Sequence, residues 1–292
     1  MSSAVAPNPE ASRPELSPDG APAGRRLPRR ASGSSLQVGV AVLWLSLIVL
    51  LPLAAIVLTS AEGGWSAFWS AVSSPSALAS FKVTLVISTV VTVINVAFGL
   101  LIAWVLVRDD FPLKRVVDAI IDLPFALPTI VASLVLLSLY GPGSPVGIHI
   151  QHTAWGVALA LAFVTLPFVV RAVQPVLLEL DHEVEEAAAS LGANNATIFL
   201  KVILPALAPS LLSGAGLAFS RAIGEFGSIV LIGGAIPGET EVSSQWIRTL
   251  IENDDRVGAA AISIVLLLIS FVMLFVLRHF GAKAAKREEA AR

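Results

Sequence analysis

The sequence predicts an all-α integral membrane protein with six transmembrane helices, and two observations lead to that fold class. Of the 292 residues, 55% are hydrophobic and only 14% are charged, and the mean hydropathy is +0.83. A water-soluble domain carries about 25% charged residues, so this composition excludes an ordinary soluble globule. The second observation is a series of apolar runs, most of them close to the roughly 20 residues that cross a bilayer as a helix.

Six apolar runs are candidate spans: Val38–Leu58, Val83–Val107, Leu123–Tyr140, Trp155–Val170, Leu207–Pro237 and Ala259–Leu277. The first is longer than the about 7 to 15 residues of a signal-peptide core, which favours a retained span over cleavage near Ser60 and Ala61. The fifth exceeds a single crossing, and four glycines interrupt it between residues 224 and 234. We therefore expect a broken or re-entrant section there, which is tolerated only where protein covers it or it lines a cavity.

The distribution of lysine and arginine predicts that both termini lie in the cytoplasm. With the amino terminus inside, the cytoplasmic segments hold fifteen of these residues, and the outer segments hold only Lys82, Arg248 and Arg256. Cytoplasmic loops carry the excess of positive charge in membrane proteins. Arg221 is the remaining cation, and it lies inside the fifth apolar run.

Composition also predicts the domain boundaries. Residues 1–37 are rich in Pro, Ser, Ala and Gly and predict a disordered cytoplasmic tail, whose arginines suggest contact with anionic membrane lipid. Residues 38–278 form the predicted transmembrane domain, and residues 279–292 a second cytoplasmic tail. The net charge of −2 argues against a nucleic-acid partner, which binds a basic face, and the absence of cysteine excludes thiolate chemistry.

The cytoplasmic segment between the fourth and fifth spans, residues 179–205, is predicted to fold as two short helices joined by a glycine, and we call it the elbow. An acidic first helix ends at Gly192, which suits a left-handed helix end. Asn194 or Asn195 can cap the second helix, which leads to Pro205. Small alanines let a partner surface approach, and the glycine fixes the angle between the helices. The alternative is an acidic, solvated loop with an interfacial helix.

Within the elbow, the string EAAASLGANNATIFLKVILP resembles the EAA loop of ABC importer permeases. The family positions are occupied by Glu186, Ala187, Ala188, Gly192, Leu204 and Pro205, and Val202 stands where isoleucine is more usual. In such permeases this loop is the coupling helix, which docks into a groove on a separate ATPase subunit. The resemblance therefore implies a type I ABC importer permease fold with a cytoplasmic coupling helix.

Further stretches indicate which group of ABC importer permeases the chain resembles. IDLPFALPTIVASLVLLSLYGP, TLPFVVRAVQPVLLEL and FSRAIGEFGSIVLIGG look like the T-type permease subunit of bacterial sulfate and thiosulfate importers. Molybdate permeases share the coupling loop and the GEFG region. The resemblance implies a permease core at about residues 80–277 in the cell inner membrane. It also implies three partners, namely a W-type sulfate permease subunit that forms a heterodimer with this chain, two copies of an ABC ATPase subunit, and an extracytoplasmic sulfate-binding protein.

The chain lacks the motifs of a motor and of a zinc enzyme. It has no G-x-x-x-x-G-K-[ST] phosphate loop, so we expect it to bind no cofactor, to have no catalytic residue, and to depend on ATP hydrolysis by a partner. His182 and Glu183 begin an H-E-x-x-H pattern, but Glu186 stands where zinc needs the second histidine. We therefore expect no metal site.

Charged residues and glycines in the fifth run are candidates for the translocation pathway or gate. Arg221 and Glu225 are four positions apart, so on a continuous helix they share a face and can pair. An ionisable residue at the membrane centre costs roughly 2.5 kcal/mol or more and tends to face the bundle interior. The alternative is an ion pair that only fixes helix packing. Gly224 and Gly227 flank the charge and Phe226, which suggests a hinge with an aromatic plug.

The third run carries a second set of candidates. A residue before proline avoids the helical region, so Pro124 and Pro128 predict bends near Leu123 and Leu127. Asp122 then lies close to the cytoplasmic interface. Its carboxylate either accepts hydrogen bonds from freed backbone amides or lines the inner mouth of the pathway.

Two other functions stay open on the sequence. One is an importer permease for another oxyanion such as molybdate, and the other is a stand-alone secondary transporter or membrane enzyme. A sulfate dianion needs N–H donors and positive helix ends, whereas Arg221 is the only cation deep in a predicted span. The choice of sulfate therefore rests on the resemblance.

Overall fold

A computed structural model describes residues 33–289 of the chain, and every regular element in that range is a helix, which confirms the all-α fold class. Residues 1–32 of the tail predicted at 1–37 lie outside the described residues, and α1 begins at Gly33. Residues 290–292 of the second predicted tail also lie outside. The described part of that tail, from His279, continues the last helix to Glu289.

The helices of residues 33–289, numbered in chain order, are α1 (Gly33–Leu45), α2 (Leu51–Glu62), α3 (Gly64–Val72), α4 (Pro75–Arg108), α5 (Lys114–Ile121), α6 (Leu123–Ala126), α7 (Thr129–Tyr140), α8 (Ala154–Glu179), α9 (His182–Ser190), α10 (Asn195–Ile198), α11 (Leu204–Ile223), α12 (Ser243–Glu252) and α13 (Arg256–Glu289). Five-residue π-helical turns precede α2 and α11. The chain divides into two units after Pro52. The first unit contains α1, and the second contains α3 to α13.

Five helical stretches of the described chain are long and apolar enough to cross a membrane: Leu36–Glu62, Pro75–Arg108, Ala154–Glu179, Asn195–Ile223 and Arg256–Leu277. The predicted span at Leu123–Tyr140 is shorter than expected, because only the twelve residues of α7 form a continuous apolar helix there. The count of six full-length spans is therefore not reached within residues 33–289.

Two prolines divide the third predicted span where bends were expected. Pro124 has no N–H and its ring clashes with the carbonyl four residues back, so it cannot continue α5, which ends before Asp122. Pro128 keeps Leu127 extended, with ψ of 136°. The predicted break at Leu127 is confirmed, whereas the other interruption lies at Asp122 and Leu123 itself begins α6. Together the two breaks shorten the apolar helix.

Helices α4, α8 and α11 pack on one another, and α13 packs on α11. Glycines set the spacing of these contacts. A Cβ atom on Gly99 of α4 would lie 2.8 Å from Val169 Cγ1 of α8, and a Cβ on Gly214 of α11 would lie 3.0 Å from the Val169 Cα. Because only glycine fits at these two points, α8 is held closely between α4 and α11.

The fifth apolar run breaks where the glycines predicted. Helix α11 ends at Ile223, and residues 224–242, which we call the broken segment, form turns without a helix. Ile232 of this segment is fully buried. Ser133 Oγ of α7 accepts hydrogen bonds from the amides of Leu231 at 3.1 Å and Ile232 at 3.3 Å. The surrounding bundle therefore satisfies backbone groups that a helix would have paired internally.

Candidate coupling surface and gate

The first arm of the elbow is α9, and its two ends are capped locally. Asp181 accepts a hydrogen bond from the amide of Glu183 at 2.9 Å. Gly192 has φ of +86°, and the amide of Ala193 donates to the carbonyl of Ala188 at 3.1 Å. This is the hydrogen-bond pattern of a helix closed by a left-handed residue, so the predicted glycine turn is confirmed.

The second arm begins at the first of the two candidate asparagines. Asn194 Oδ1 accepts from the amide of Thr197 at 2.8 Å and caps α10. The arm does not end as a separate short helix, because it continues through a π-helical turn into α11 and forms one helical rod, Asn195–Ile223. Leu204 and Pro205 stand in the first turn of α11. Movement of the elbow is thereby connected directly to the fifth span.

The first arm is open to solvent, as a docking surface requires. No residue of α9 is buried, and Leu191 at its end exposes 89% of its surface. Glu186 and Ala187 are exposed, and Ala188 is half-buried against the apolar cluster beneath the elbow. A neighbouring protein can therefore contact the Glu-Ala-Ala positions without displacing any part of the described bundle.

Arg108, which the sequence predicts only as a cytoplasmic charge, holds this arm. It is the last residue of α4; its Nη2 pairs with Glu185 of α9, and its Nη1 lies 2.7 Å from a ring nitrogen of His182. The guanidinium also lies over the Trp104 ring, 5.4 Å from its centroid. Arg108 and Glu185 are 77 positions apart, so no spacing rule pairs them. Within the described residues no group of three acids or histidines is placed to hold a metal ion.

The candidate gate is centred on an ion pair between Arg221 and Glu225, which confirms the predicted pairing. The pair forms across the end of α11 rather than along a continuous helix, since the helix stops at Gly224. The Glu225 side chain is only 1% exposed, and its Oε1 accepts from the amide of Ser228 at 2.7 Å.

The two glycines beside this pair have different surroundings. A Cβ on Gly224 would meet nothing closer than a backbone oxygen at 3.9 Å, whereas a Cβ on Gly227 would lie 2.0 Å from Thr129 Oγ1. Phe226 between them is half-buried, and the Arg248 guanidinium lies 5.7 Å from its ring centroid. The broken segment therefore packs tightly on the beginning of α7 at Gly227 and loosely at Gly224.

Asp122 lies in a cluster that the sequence did not predict. Arg171 of α8 donates from Nε to Asp122 Oδ1 at 2.8 Å and from Nη2 to Oδ2 at 2.7 Å, and its Nη1 donates to Asp118 at 2.6 Å. Because 49 positions separate Arg171 from Asp122, sequence spacing gave no sign of the pair. Pro124, two positions after Asp122, is buried. Pro128 is the residue before the first turn of α7.

Sequence comparison relates the chain to transport proteins. The family described as "Binding-protein-dependent transport system inner membrane component" matches residues 95–286. The sulfate transport system permease protein CysT of Salmonella typhimurium is 42% identical over 262 residues, which cover 87% of this chain and 95% of that protein. CysT of Synechococcus elongatus is 46% identical over 241 residues, covering 80% of this chain and 87% of the relative.

Solved structures share the fold. A bacterial alginate ABC transporter in complex with an alginate pentasaccharide-bound periplasmic protein matches with a TM-score of 0.69 at 14% identity, covering 86% of this chain and 94% of that one. The inward-facing MetNI methionine ABC transporter matches with a TM-score of 0.54 at 22% identity, covering 69% and 93%. These likenesses concern the fold alone and agree with the predicted permease fold. The chain belongs to the family of binding-protein-dependent transport system inner membrane components, together with the CysT permease proteins.

Proposed function

We propose that the chain is the permease subunit of an ATP-driven ABC importer that moves sulfate, and thiosulfate with it, across the inner membrane into the cytoplasm. The observation that carries the proposal is the exposed, glycine-jointed elbow, which presents the Glu-Ala-Ala positions to solvent and continues as one rod into the fifth span. The substrate follows from the relatives, which are named as sulfate permeases and are 42% to 46% identical to this chain.

The proposed assembly contains this chain, a W-type sulfate permease subunit, two copies of an ATPase subunit and an extracytoplasmic sulfate-binding protein. The ATPase activity resides in the partner subunits, and this chain binds no cofactor of its own. Both termini lie in the cytoplasm, on the side where the elbow meets the ATPase. The excess of lysine and arginine in the predicted cytoplasmic segments supports this orientation.

The elbow transmits the movement of the ATPase pair to the spans, so that the pathway switches between its inward-open and outward-open states. ATP binding brings the two ATPase subunits together, and the one on which α9 is docked carries α9 with it. Because the second arm is continuous with α11, its displacement shifts the inner end of the fifth span. Thermodynamically, ATP and the loaded binding protein must each bind one access state better than the other, since a ligand with equal affinity for both shifts nothing.

The proposed pathway uses little fixed charge. Arg221 is paired with Glu225, so the positive charge at this depth is compensated and does not trap a dianion. Conduction requires binding that is favourable enough for entry yet weak enough for release. The residues proposed to line the pathway or form its gate are Arg221, Gly224, Glu225, Phe226 and Gly227, with Asp122, Pro124 and Pro128 toward the inner mouth.

Reconstitution tests the proposal. Proteoliposomes that contain this chain, the W-type subunit and the ATPase should accumulate sulfate when ATP and the loaded binding protein are supplied, and omission of any one component should stop uptake. Sulfate uptake by this chain alone under an ion gradient would contradict the proposal and favour a secondary transporter.

Growth rescue of two uptake mutants distinguishes sulfate from molybdate as the transported oxyanion. Expression of the complex should restore growth of a sulfate-uptake mutant and should leave a molybdate-uptake mutant unrestored. The opposite pattern would assign the permease to molybdate while keeping the role of the elbow. Competition of labelled sulfate uptake by thiosulfate measures whether the second anion shares the route.

A further inference from the structure

We propose that Arg108 is the positioning residue that joins the first arm of the elbow to α4, so that movement of α9 enters the bundle through α4 as well as through α11. This inference rests on the proposed function, because it concerns the route by which the elbow transmits movement from an ATPase. It assigns a role in transmission to a helix that is not adjacent to the elbow in the sequence.

Short non-helical segments connect α9 to the rest of the chain. Before it, Leu180 and Asp181 are extended, with ψ of 122° and 121°. After it, the chain turns at Gly192, where the space around a Cβ position is open. No residue of α9 is buried, and Glu185 and Ala188 are half-buried, three positions apart and therefore on one face of the helix. A lateral contact on that face is needed to hold α9 in a fixed direction.

Arg108 makes that contact from a rigid position. It is the last residue of the 34-residue helix α4, and it reaches both Glu185 and His182 in the first two turns of α9. Its side chain is only 11% exposed, so solvent and salt screen the ion pair less than they screen a surface pair. The Trp104 ring beneath the guanidinium restricts its orientation.

The same end of α4 also contacts the second arm. Trp104 meets Phe199 edge to face, with ring centroids 5.6 Å apart, and Phe199 begins the π-helical turn that leads into α11. Arg108 therefore holds the first arm while its neighbour one helical turn away holds the second. The inner end of α4 and the elbow form one rigid body, and we expect them to move together during transport.

Uptake and hydrolysis in the reconstituted complex measure the effect of breaking this link. Arg108→Gln should keep the ATPase subunits bound and should lower sulfate imported per ATP hydrolysed by roughly 5-fold or more, in the range of coupling between sites. Glu185→Gln should also lower the sulfate imported per ATP hydrolysed. Arg115→Gln, which removes an exposed cation from the same side of the membrane, is the matched control and should keep the wild-type ratio.

A distance measurement separates positioning from a loss of folding. The chain has no cysteine, so spin labels can be attached to cysteines introduced at Asp109, beyond the end of α4, and at Ser190, at the end of α9. In the wild-type complex the distance between the labels should stay constant with and without ATP. With Arg108→Gln the distance distribution should broaden and become nucleotide-dependent, while the exchange of Arg108→Glu with Glu185→Arg should narrow it again.

Failure of the proposed role of Arg108 and failure of the proposed transport function would give different results. A wild-type complex that imports no sulfate would contradict the proposed function, and the label distances with and without Arg108→Gln would then decide the role of Arg108 alone. A wild-type complex that imports sulfate, with Arg108→Gln showing the same ratio and the same label distances, would overturn the role of Arg108 alone. A label distance that changes with ATP in the wild type would also overturn it.

Discussion

The elbow and the broken segment lie at the two ends of the same helical rod. They differ in where the hydrogen-bond partners of their non-helical backbone come from. In the elbow the capping hydrogen bonds are local: those of Asp181 and Asn194 span two and three positions. In the broken segment Ser133 accepts from the amide of Leu231, 98 positions away. The helix caps of the elbow are local, whereas part of the backbone of the broken segment depends on the bundle.

The difference follows from the surroundings of each region. The first arm of the elbow has no buried residue, so water satisfies its remaining polar groups and a partner can contact it without disturbing the fold. Much of the broken segment is buried, and an unpaired backbone group in the membrane costs several kcal/mol. Local turns pair part of its backbone, and Ser133 of α7 accepts from two amides that these turns leave unpaired. We therefore expect substitutions in the elbow to affect uptake more than stability, and substitutions in the broken segment to affect both.

The largest expected effect is at Gly192. Its φ of +86° suits glycine, and a β-branched residue there is strained by about 1 to 3 kcal/mol, which changes the direction of the first arm relative to the second. Gly192→Val should reduce uptake to background while membrane insertion persists. The matched control is Gly147→Val, at an exposed position with φ of +72° and open space, which carries the same strain outside the elbow. Normal uptake and ATPase association in Gly192→Val would refute the coupling assignment.

The next effect concerns the ion pair between Arg221, whose side chain is 35% exposed, and the buried Glu225. Arg221→Leu leaves the Glu225 carboxylate without its cation. It should lower both uptake and the melting temperature in detergent, by less than the about 3 to 5 kcal/mol that breaking a fully buried pair costs. The double variant Arg221→Leu with Glu225→Gln removes both charges and should recover stability without recovering uptake. Recovery of uptake as well would limit the pair to a packing role, and so would unchanged uptake in the single variant with lowered stability.

A smaller effect compares two glycines of the broken segment. Gly227→Ala would place a Cβ atom 2.0 Å from Thr129 Oγ1, and overpacking of this kind costs about 1 to 3 kcal/mol. Gly224→Ala has open space and should stay within about 0.5 kcal/mol of the wild type. Thermal unfolding in detergent measures the difference, and equal melting temperatures for the two variants would contradict the tight contact on α7.

The smallest effect is expected at the caps. Asn194→Ala removes the cap of α10 and should cost about 1 kcal/mol locally, and uptake should fall by a few-fold because the cap lies in the elbow. Ser74→Ala removes the cap of α4, where Ser74 Oγ accepts from the amide of Ala77 at 3.3 Å, and should leave the uptake rate close to that of the wild type. A similar loss of uptake in both variants would show that the effect is one of general stability.

Much of the fold could be predicted because its determinants are local. Apolar runs predicted the long spans, the glycines of the fifth run predicted its break after α11, and Gly192 predicted the turn of the elbow. The third span was overestimated, although its bends were expected, since Pro124 and Pro128 shorten the apolar helix to α7. A hydropathy pattern counts apolar residues and does not register where prolines divide them.

The contacts that hold the candidate sites could not be predicted in the same way. Arg108 binds Glu185 across 77 positions, and Arg171 binds Asp122 across 49. Such pairs depend on which helices become neighbours, and periodicity and spacing within one element carry no information about that. In the gate, by contrast, the pairing of Arg221 with Glu225 was predictable because the two residues are only four positions apart.

Labelling of a single cysteine tests most directly whether the elbow is the surface that an ATPase subunit contacts. Leu191→Cys, at a position that is 89% exposed, should react rapidly with a membrane-impermeant maleimide in inside-out vesicles that contain this chain and the W-type subunit. Assembly with the ATPase should protect it, while Asp110→Cys, at an exposed position outside the elbow, stays reactive. Equal labelling of Leu191→Cys with and without the ATPase would contradict the account.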